Sequence, residues 1–176
     1  EDEEEEVKPK PKDKKYGIEF YWDFYLKMAG FKDNLGSDLM VTSDFGEVLV
    51  GFYLVKKDLF VVRANTEGCD LFVIDNKGKV FKNRTNKRKM IGIEVKTRQN
   101  NSTSVYYDPF NTKLSSKFWN FEPYLSIVTM KDIVIIPLKL CKSKKVKTNK
   151  GYISLSKIKK LKENPKFKDK IIIVEW

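Results

Sequence analysis

The chain has 176 residues, 41% of them hydrophobic and 34% charged, with a net charge of +11 and a sequence pI near 9.4. That length supports one domain with a real core, and no apolar run approaches the ~20 residues that span a bilayer. Histidine is absent, which excludes Ser-His-Asp and Cys-His catalysis, histidine zinc sites and imidazole acid–base chemistry. Any hydrolysis must rest on carboxylates, lysine, metal and water.

Residues 1–15 join an acidic block to a Lys-Pro run, a composition that cannot build a core and is expected to form a disordered tail. The acidic start is expected to carry neither secretory signal nor transit peptide. Cys69 and Cys141 match no metal spacing, so reduced thiols in a cytoplasmic protein are expected. The remainder, 16–176, reads as a single domain with a basic C-terminal region.

Apolar residues at Ile18, Tyr21, Trp22, Tyr25, Leu26 and Ala29 predict a first helix stopped by Gly30. Leu39 to Val41 reads as a short extended piece. Asp44 with Glu47 three residues on resembles a capping box and predicts a helix from about Asp44 to Lys57. Strands are expected at Leu59–Arg63, Leu71–Ile74 and Ile91–Thr97, the last two joined by a long basic loop, Asn76–Lys89. A short helix at Lys113–Phe118 precedes a β-hairpin of Tyr124–Thr129 and Ile133–Leu138. Ser154 opens a helix over Leu155–Lys162, and Ile171–Trp176 is a final strand. This order predicts the α/β class, a mixed β-sheet flanked by helices.

The chemistry concentrates in two neighbouring strands. Asp70 enters one, and the next carries Glu94-Val95-Lys96. Strand side chains alternate, so Glu94 and Lys96 share a face while Ile93 and Val95 take the other. If the strands pair as a hairpin, Asp70 and Glu94 converge beside the Lys96 ammonium. Two hard carboxylates suit Mg²⁺ or Mn²⁺. The pattern (Asp/Glu)-x-Lys also occurs at Glu6, Asp13 and Asp75, but the first two lie in the tail and Asp75-Asn76-Lys77-Gly78 reads as a turn. The competing reading of Glu94 and Lys96 is an ordinary surface ion pair. The apolar residues around them favour a partly buried face, where charges rarely sit without a partner or a task.

The stretch from Phe45-Gly46-Glu47 through Arg63-Ala-Asn-Thr66-Glu67-Gly68-Cys69-Asp70 to Glu94-Val95-Lys96, with Leu114 to Pro137 beyond, resembles the PD-(D/E)xK nuclease superfamily and, within it, the archaeal Holliday junction resolvases. The likeness covers roughly residues 44–138. It implies a restriction-endonuclease-like core in which Glu47, Asp70, Glu94 and Lys96 are catalytic. Asp70, Glu94 and the Val95 carbonyl would be metal ligands, with Arg63 and Thr66 at the nucleic acid. Glu19 competes with Glu47 for the helix carboxylate. Cys69 stands where the motif usually has proline, a position that shapes a turn. The resemblance also implies Mg²⁺ (or Mn²⁺) as cofactor, branched DNA as substrate, and a homodimer or higher homo-oligomer. The alternatives are a restriction- or repair-type duplex nuclease and a non-catalytic nucleic-acid-binding protein.

Charge placement points the same way. Nine lysines and arginines face one acid between Lys77 and Arg98, and thirteen lysines face two acids between Lys139 and Lys170. Such clusters suit a phosphate backbone, with Lys82, Arg84, Lys87, Arg88, Lys89 and Arg98 as the expected contacts. Tyr106, Tyr107, Phe110, Phe118, Trp119 and Phe121 are expected in the core or at a dimer interface, ahead of stacking on unpaired bases.

Overall fold

The computed structural model of the protein describes residues 39–82, 90–98, 104–129, 131–141 and 151–175. The acidic tail, the helix expected at 18–29 with Glu19, and Arg84, Lys87, Arg88 and Lys89 lie outside the described residues.

Helix α1 spans Leu39–Val55. Strands β1 (Phe60–Thr66), β2 (Cys69–Ile74), β3 (Met90–Thr97) and β4 (Ser104–Tyr107) follow, then helix α2 (Pro109–Phe118). Strands β5 (Glu122–Val128), β6 (Asp132–Pro137) and β7 (Gly151–Ser154), helix α3 (Leu155–Glu163) and strand β8 (Ile172–Glu175) complete the order. Six strands form one sheet in the order β1-β2-β3-β5-β6-β8, and β4 pairs with β7 in a separate ribbon. The β3–β5 pair is parallel and the others in the main sheet are antiparallel. The mixed sheet flanked by helices is what the sequence leads one to expect.

Strand β3 is buried on both faces from Ile91 to Val95, as a central strand must be when each face is covered. Alternation along the sheet divides the core in two. Leu71, Val73, Ile91, Ile93, Val95, Tyr124, Ile133 and Ile135 pack under Phe45, Leu49, Val50 and Leu54 of α1. Leu125, Ile127, Val134 and Ile136 face the opposite way and meet Val105, Tyr107 and Ile153 of the ribbon and Ile158 and Leu161 of α3.

Three local readings need correction. Leu39–Val41 is helical rather than extended, and Asp44 lies inside α1 rather than capping it. The Asp-x-x-Glu spacing that resembles a capping box instead puts Asp44 and Glu47 on one helix face, where both reach Arg63 of β1. Likewise α2 begins at Pro109, four residues before the expected start. The Asp108 carboxylate accepts from the Phe110 and Asn111 amides, and Pro109 fills a position where no N–H is needed.

The β4–β7 ribbon was not expected. Its strands are four residues each, paired through Val105↔Ile153 and Tyr106↔Tyr152. The β5–β6 hairpin and the Ser154 cap, which accepts from the Lys157 amide, stand as expected. The aromatic group divides: Tyr107 and Phe121 are core, whereas Tyr106, Phe110, Phe118 and Trp119 are exposed.

Candidate active site

The turn between β1 and β2 delivers Asp70. Gly68 takes a left-handed φ of 73° there, and a side chain at this position would collide with the α2 backbone, its Cβ 2.5 Å from the Thr112 nitrogen. Thr66 bonds across the turn to the Cys69 carbonyl at 3.4 Å. Cys69 is fully buried and its thiol is pushed up to about 12, chiefly by burial, so it is an inert packing group.

Strands β2 and β3 pair from Ile74↔Met90 to Leu71↔Ile93. One step on, the backbone ladder gives way to a side chain: Asp70 Oδ2 accepts from the Val95 N–H at 2.6 Å. Strand β3 meanwhile stays paired with β5 as far as Thr97↔Val128. The sheet therefore opens on one side of β3, along the segment Glu94-Val95-Lys96. Asp70 fills the opening as a carboxylate in place of a strand.

Glu94 is 3% exposed, which rules out an ordinary surface ion pair. Its Oε1 lies 2.9 Å from Lys96 Nζ and accepts a long bond of 3.4 Å from the Asp108 amide. Its Oε2 accepts from Thr112 Oγ1 at 3.1 Å. The Lys96 side chain, 31% exposed, spans from this buried acid to the surface. Burial raises the Asp70 pKa above its ordinary value. The Val95 N–H and the Lys96 charge oppose that shift, and the Glu94 charge adds to it.

Glu47 comes to the same place from α1. The helix passes very close to β3 at Gly46, where a Cβ would lie 2.0 Å from Thr97 Oγ1. Glu47 is bound by Arg63 at 3.0 Å, and Arg63 also holds Asp44 at 2.6 Å. Burial first, and the Asp70 charge second, raise the Glu47 pKa. Asp70, Glu94, Lys96, Glu47 and Arg63 thus form one electrostatically connected group.

The remaining expected residues are distributed around it. Val95 is buried, with its N–H taken by Asp70. Arg63 is engaged by the two acids of α1 while most of its side chain stays in solvent. Arg98 donates to the Thr97 carbonyl at 2.7 Å and is half-buried, its pKa lowered by burial. Lys82 is exposed. Asp75 closes a turn, as expected, and its buried carboxylate also accepts from the amides of Lys79, Val80 and Phe81. Sequence reasoning passed over Thr112 and Asp108. The Asp108-Pro109 pair was the available signal for a helix start beside Glu94.

Among the described residues, no group of three or more histidine, cysteine or acidic side chains is assembled to hold a metal ion. The donor set still fits a hard divalent cation. Asp70 and Glu94 are oxygen donors, and Asp70 Oδ2 and Glu94 Oε2 each retain a lone pair beyond the one bond described. Burial raises the Asp70 pKa, a shift that a cation beside the carboxylate would oppose. Mg²⁺ in particular is commonly held by one or two carboxylates, with water and phosphate completing the shell.

No protein-family model matches the chain, and no curated protein is similar to it in sequence. Among solved structures it is similar to Hjc, a Holliday junction resolvase from the archaeal hyperthermophile Archaeoglobus fulgidus. Identity is 16%, the TM-score is 0.48, and the alignment covers 65% of this chain and 85% of that one.

Proposed function

We propose that this protein is a divalent-metal-dependent DNA endonuclease with a restriction-endonuclease-like core, selective for branched DNA such as a four-way junction. The observation that carries the reading is the opening beside β3. There Asp70 and the Glu94–Lys96 pair are gathered on adjacent strands, with Glu47 at their edge. A binding protein would have little reason to keep a buried acid and a lysine in this arrangement, because desolvating an ion pair costs stability that its attraction often does not return.

A divalent cation at Asp70 and Glu94 would supply an acidified water and charge on a phosphoryl oxygen. Lys96 places its ammonium beside Glu94, where it can orient the attacking water and offset negative charge on the pentacovalent phosphorane. Asp70 is fixed by the Val95 amide, so its orientation is set before substrate arrives. Arg63 holds Glu47 in an ion pair at 3.0 Å. Lysines and arginines of the 77–98 segment and the C-terminal region hold flanking backbone without reading sequence.

Symmetric cutting of a four-way junction requires two such sites, hence a homodimer. The exposed Phe110, Leu114, Phe118 and Trp119 of α2 and its C-terminal turn support that part of the reading, since apolar patches on small domains mark interfaces. Among the described residues no helix is long and apolar enough to cross a membrane.

The test is incubation with labelled four-way junction, duplex, flap and single-stranded DNA in Mg²⁺ or EDTA. Mg²⁺-dependent cutting of the junction, lost in Asp70→Asn and Glu94→Gln while binding persists, is the expected result. Preferential cutting of linear duplex would reassign the protein to the restriction- or repair-type class. Binding without cleavage in either Mg²⁺ or Mn²⁺ would reject the enzyme.

A further inference from the structure

Helix α2 has an outer face in solvent and an inner face against the site. On the inner face Thr112 is fully buried, and it touches both segments that carry the metal-type acids. Its hydroxyl lies 3.1 Å from Glu94 Oε2. Its backbone nitrogen and hydroxyl also face Gly68, where a Cβ would stand 2.5 and 2.6 Å from them. Gly68 is two residues before Asp70. One turn along, Ser115 Oγ donates to the Glu67 carbonyl at 2.8 Å, which ties the same β1–β2 turn to the helix again. At the helix start the Asp108 amide points at Glu94 Oε1.

We propose that Thr112 is the positioning residue of the site, and that α2, through Thr112 and Ser115, sets the gap between Asp70 and Glu94. The inference rests on the nuclease reading and deepens it. Asp70 and Glu94 lie on separate strands whose backbone pairing ends at Leu71↔Ile93, so the ladder does not fix their separation there. Beside the bond from the Val95 amide to Asp70, a helix bound to one acid directly and to the other's turn adds a second constraint. Partners of this kind, one bond removed from a metal ligand, fix its orientation and tune its basicity.

A competing assignment is visible in the geometry. Thr112 Oγ1 also lies 2.6 Å from the Asp108 carbonyl, four residues back in the same helix. A threonine in a helix often spends its hydroxyl proton in that way, and one hydroxyl has only one proton. The buried, charged acceptor is the stronger claimant, because a hydrogen bond to an ionised group is roughly twice as strong as a neutral one. If the proton belongs to Asp108 alone, Glu94 does not feel its loss.

The experiment compares Thr112→Val, which keeps the shape and removes the hydroxyl, with Thr112→Ser, which keeps the hydroxyl and removes the methyl. Mn²⁺ titrated into the full chain without DNA, followed by calorimetry, reads the carboxylates directly. Single-turnover junction cleavage, DNA affinity in EDTA and thermal melts accompany it. Thr112→Val is expected to weaken Mn²⁺ binding by about 10- to 100-fold, and to slow cleavage with unchanged DNA affinity. Thr112→Ser should recover most of both. Ser115→Ala should give a smaller loss in the same direction.

Unchanged Mn²⁺ binding in Thr112→Val overturns the proposal, as does an equal loss in the valine and serine variants, which would show that only packing matters. Hydroxyl-dependent Mn²⁺ binding in a protein that cuts no DNA would uphold Thr112 and reject the nuclease. Wild-type protein that binds no Mn²⁺ overturns both.

Discussion

Lys96 separates a catalytic from a structural reading of the site. Its ammonium is 2.9 Å from a nearly buried Glu94, so its removal must be felt somewhere. If its charge acts on the transition state, Lys96→Ala slows single-turnover cleavage by orders of magnitude with little change in DNA affinity. A purely structural ion pair would instead give a lower melting temperature and normal turnover per folded molecule. Asp70 and Glu47 make a second prediction. Both hold their protons more tightly than usual because they are buried. Between the ordinary carboxylate range and those raised values the folded chain binds more protons than the unfolded one, so their contribution to stability falls as pH rises through that window. Metal-free Asp70→Asn should therefore melt at or above wild type at pH 7, and the advantage should disappear at a pH below 3.8, the ordinary Asp70 value. A variant that melts lower only at pH 7 would show that the ionised carboxylate is net stabilised. Much of this group was legible in the sequence, because strand alternation alone puts Glu94 beside Lys96. The clasp of Asp44 and Glu47 on Arg63 was not, since it joins residues up to 19 positions apart on different elements.

At the scale of elements, the position of α1 depends on one missing methyl group. A Cβ on Gly46 would meet Thr97 Oγ1 at 2.0 Å and Thr97 Cβ at 3.3 Å, and that hydroxyl is buried without a hydrogen-bond partner among the described residues. Gly46→Ala should destabilise the fold by about 1–3 kcal/mol through overpacking. It should also slow cleavage, because Glu47 follows directly on the helix. The double variant Gly46→Ala/Thr97→Ala should recover most of the loss in denaturant melts, and failure to recover would place the strain elsewhere. Element boundaries show where sequence patterns suffice. The Ser154 cap and the β5–β6 hairpin are local features, and local chemistry announces them. The β4–β7 ribbon joins Tyr106 to Tyr152 across 46 positions, and four-residue strands carry too little alternation to predict such a pairing. The same limit hid the inner face of α2, because Thr112 gains its meaning only once Glu94 and Gly68 are folded against it.

For the molecule as a whole, charge and symmetry make the testable statement. With a net charge of +11, DNA binding should weaken steeply with salt, log K against log [salt] falling by about 0.9 per phosphate neutralised. A homodimer presenting two Asp70/Glu94 sites should prefer a four-way junction over duplex of equal length, because only the branched shape engages both basic surfaces at once. Competition gel shifts across a salt series, with sizing by light scattering, measure both. A monomer that binds junction and duplex equally would remove the junction-resolving part of the proposed function and leave the metal site to its own tests. Net charge is read from composition and needs no fold, whereas four of the six expected contacts, Arg84, Lys87, Arg88 and Lys89, lie outside the described residues.

The bond from the Val95 amide to Asp70 makes one backbone proton a spectroscopic witness. At 2.6 Å to a carboxylate it is a short, charge-assisted contact, so its NMR resonance should lie well downfield of the other β3 amides and exchange slowly with solvent. Its chemical shift should follow whatever happens to Asp70, whether protonation, a cation, or a nearby phosphate. Occupancy of the site can then be followed in the intact protein without turnover, from a residue that takes no part in the chemistry with its side chain.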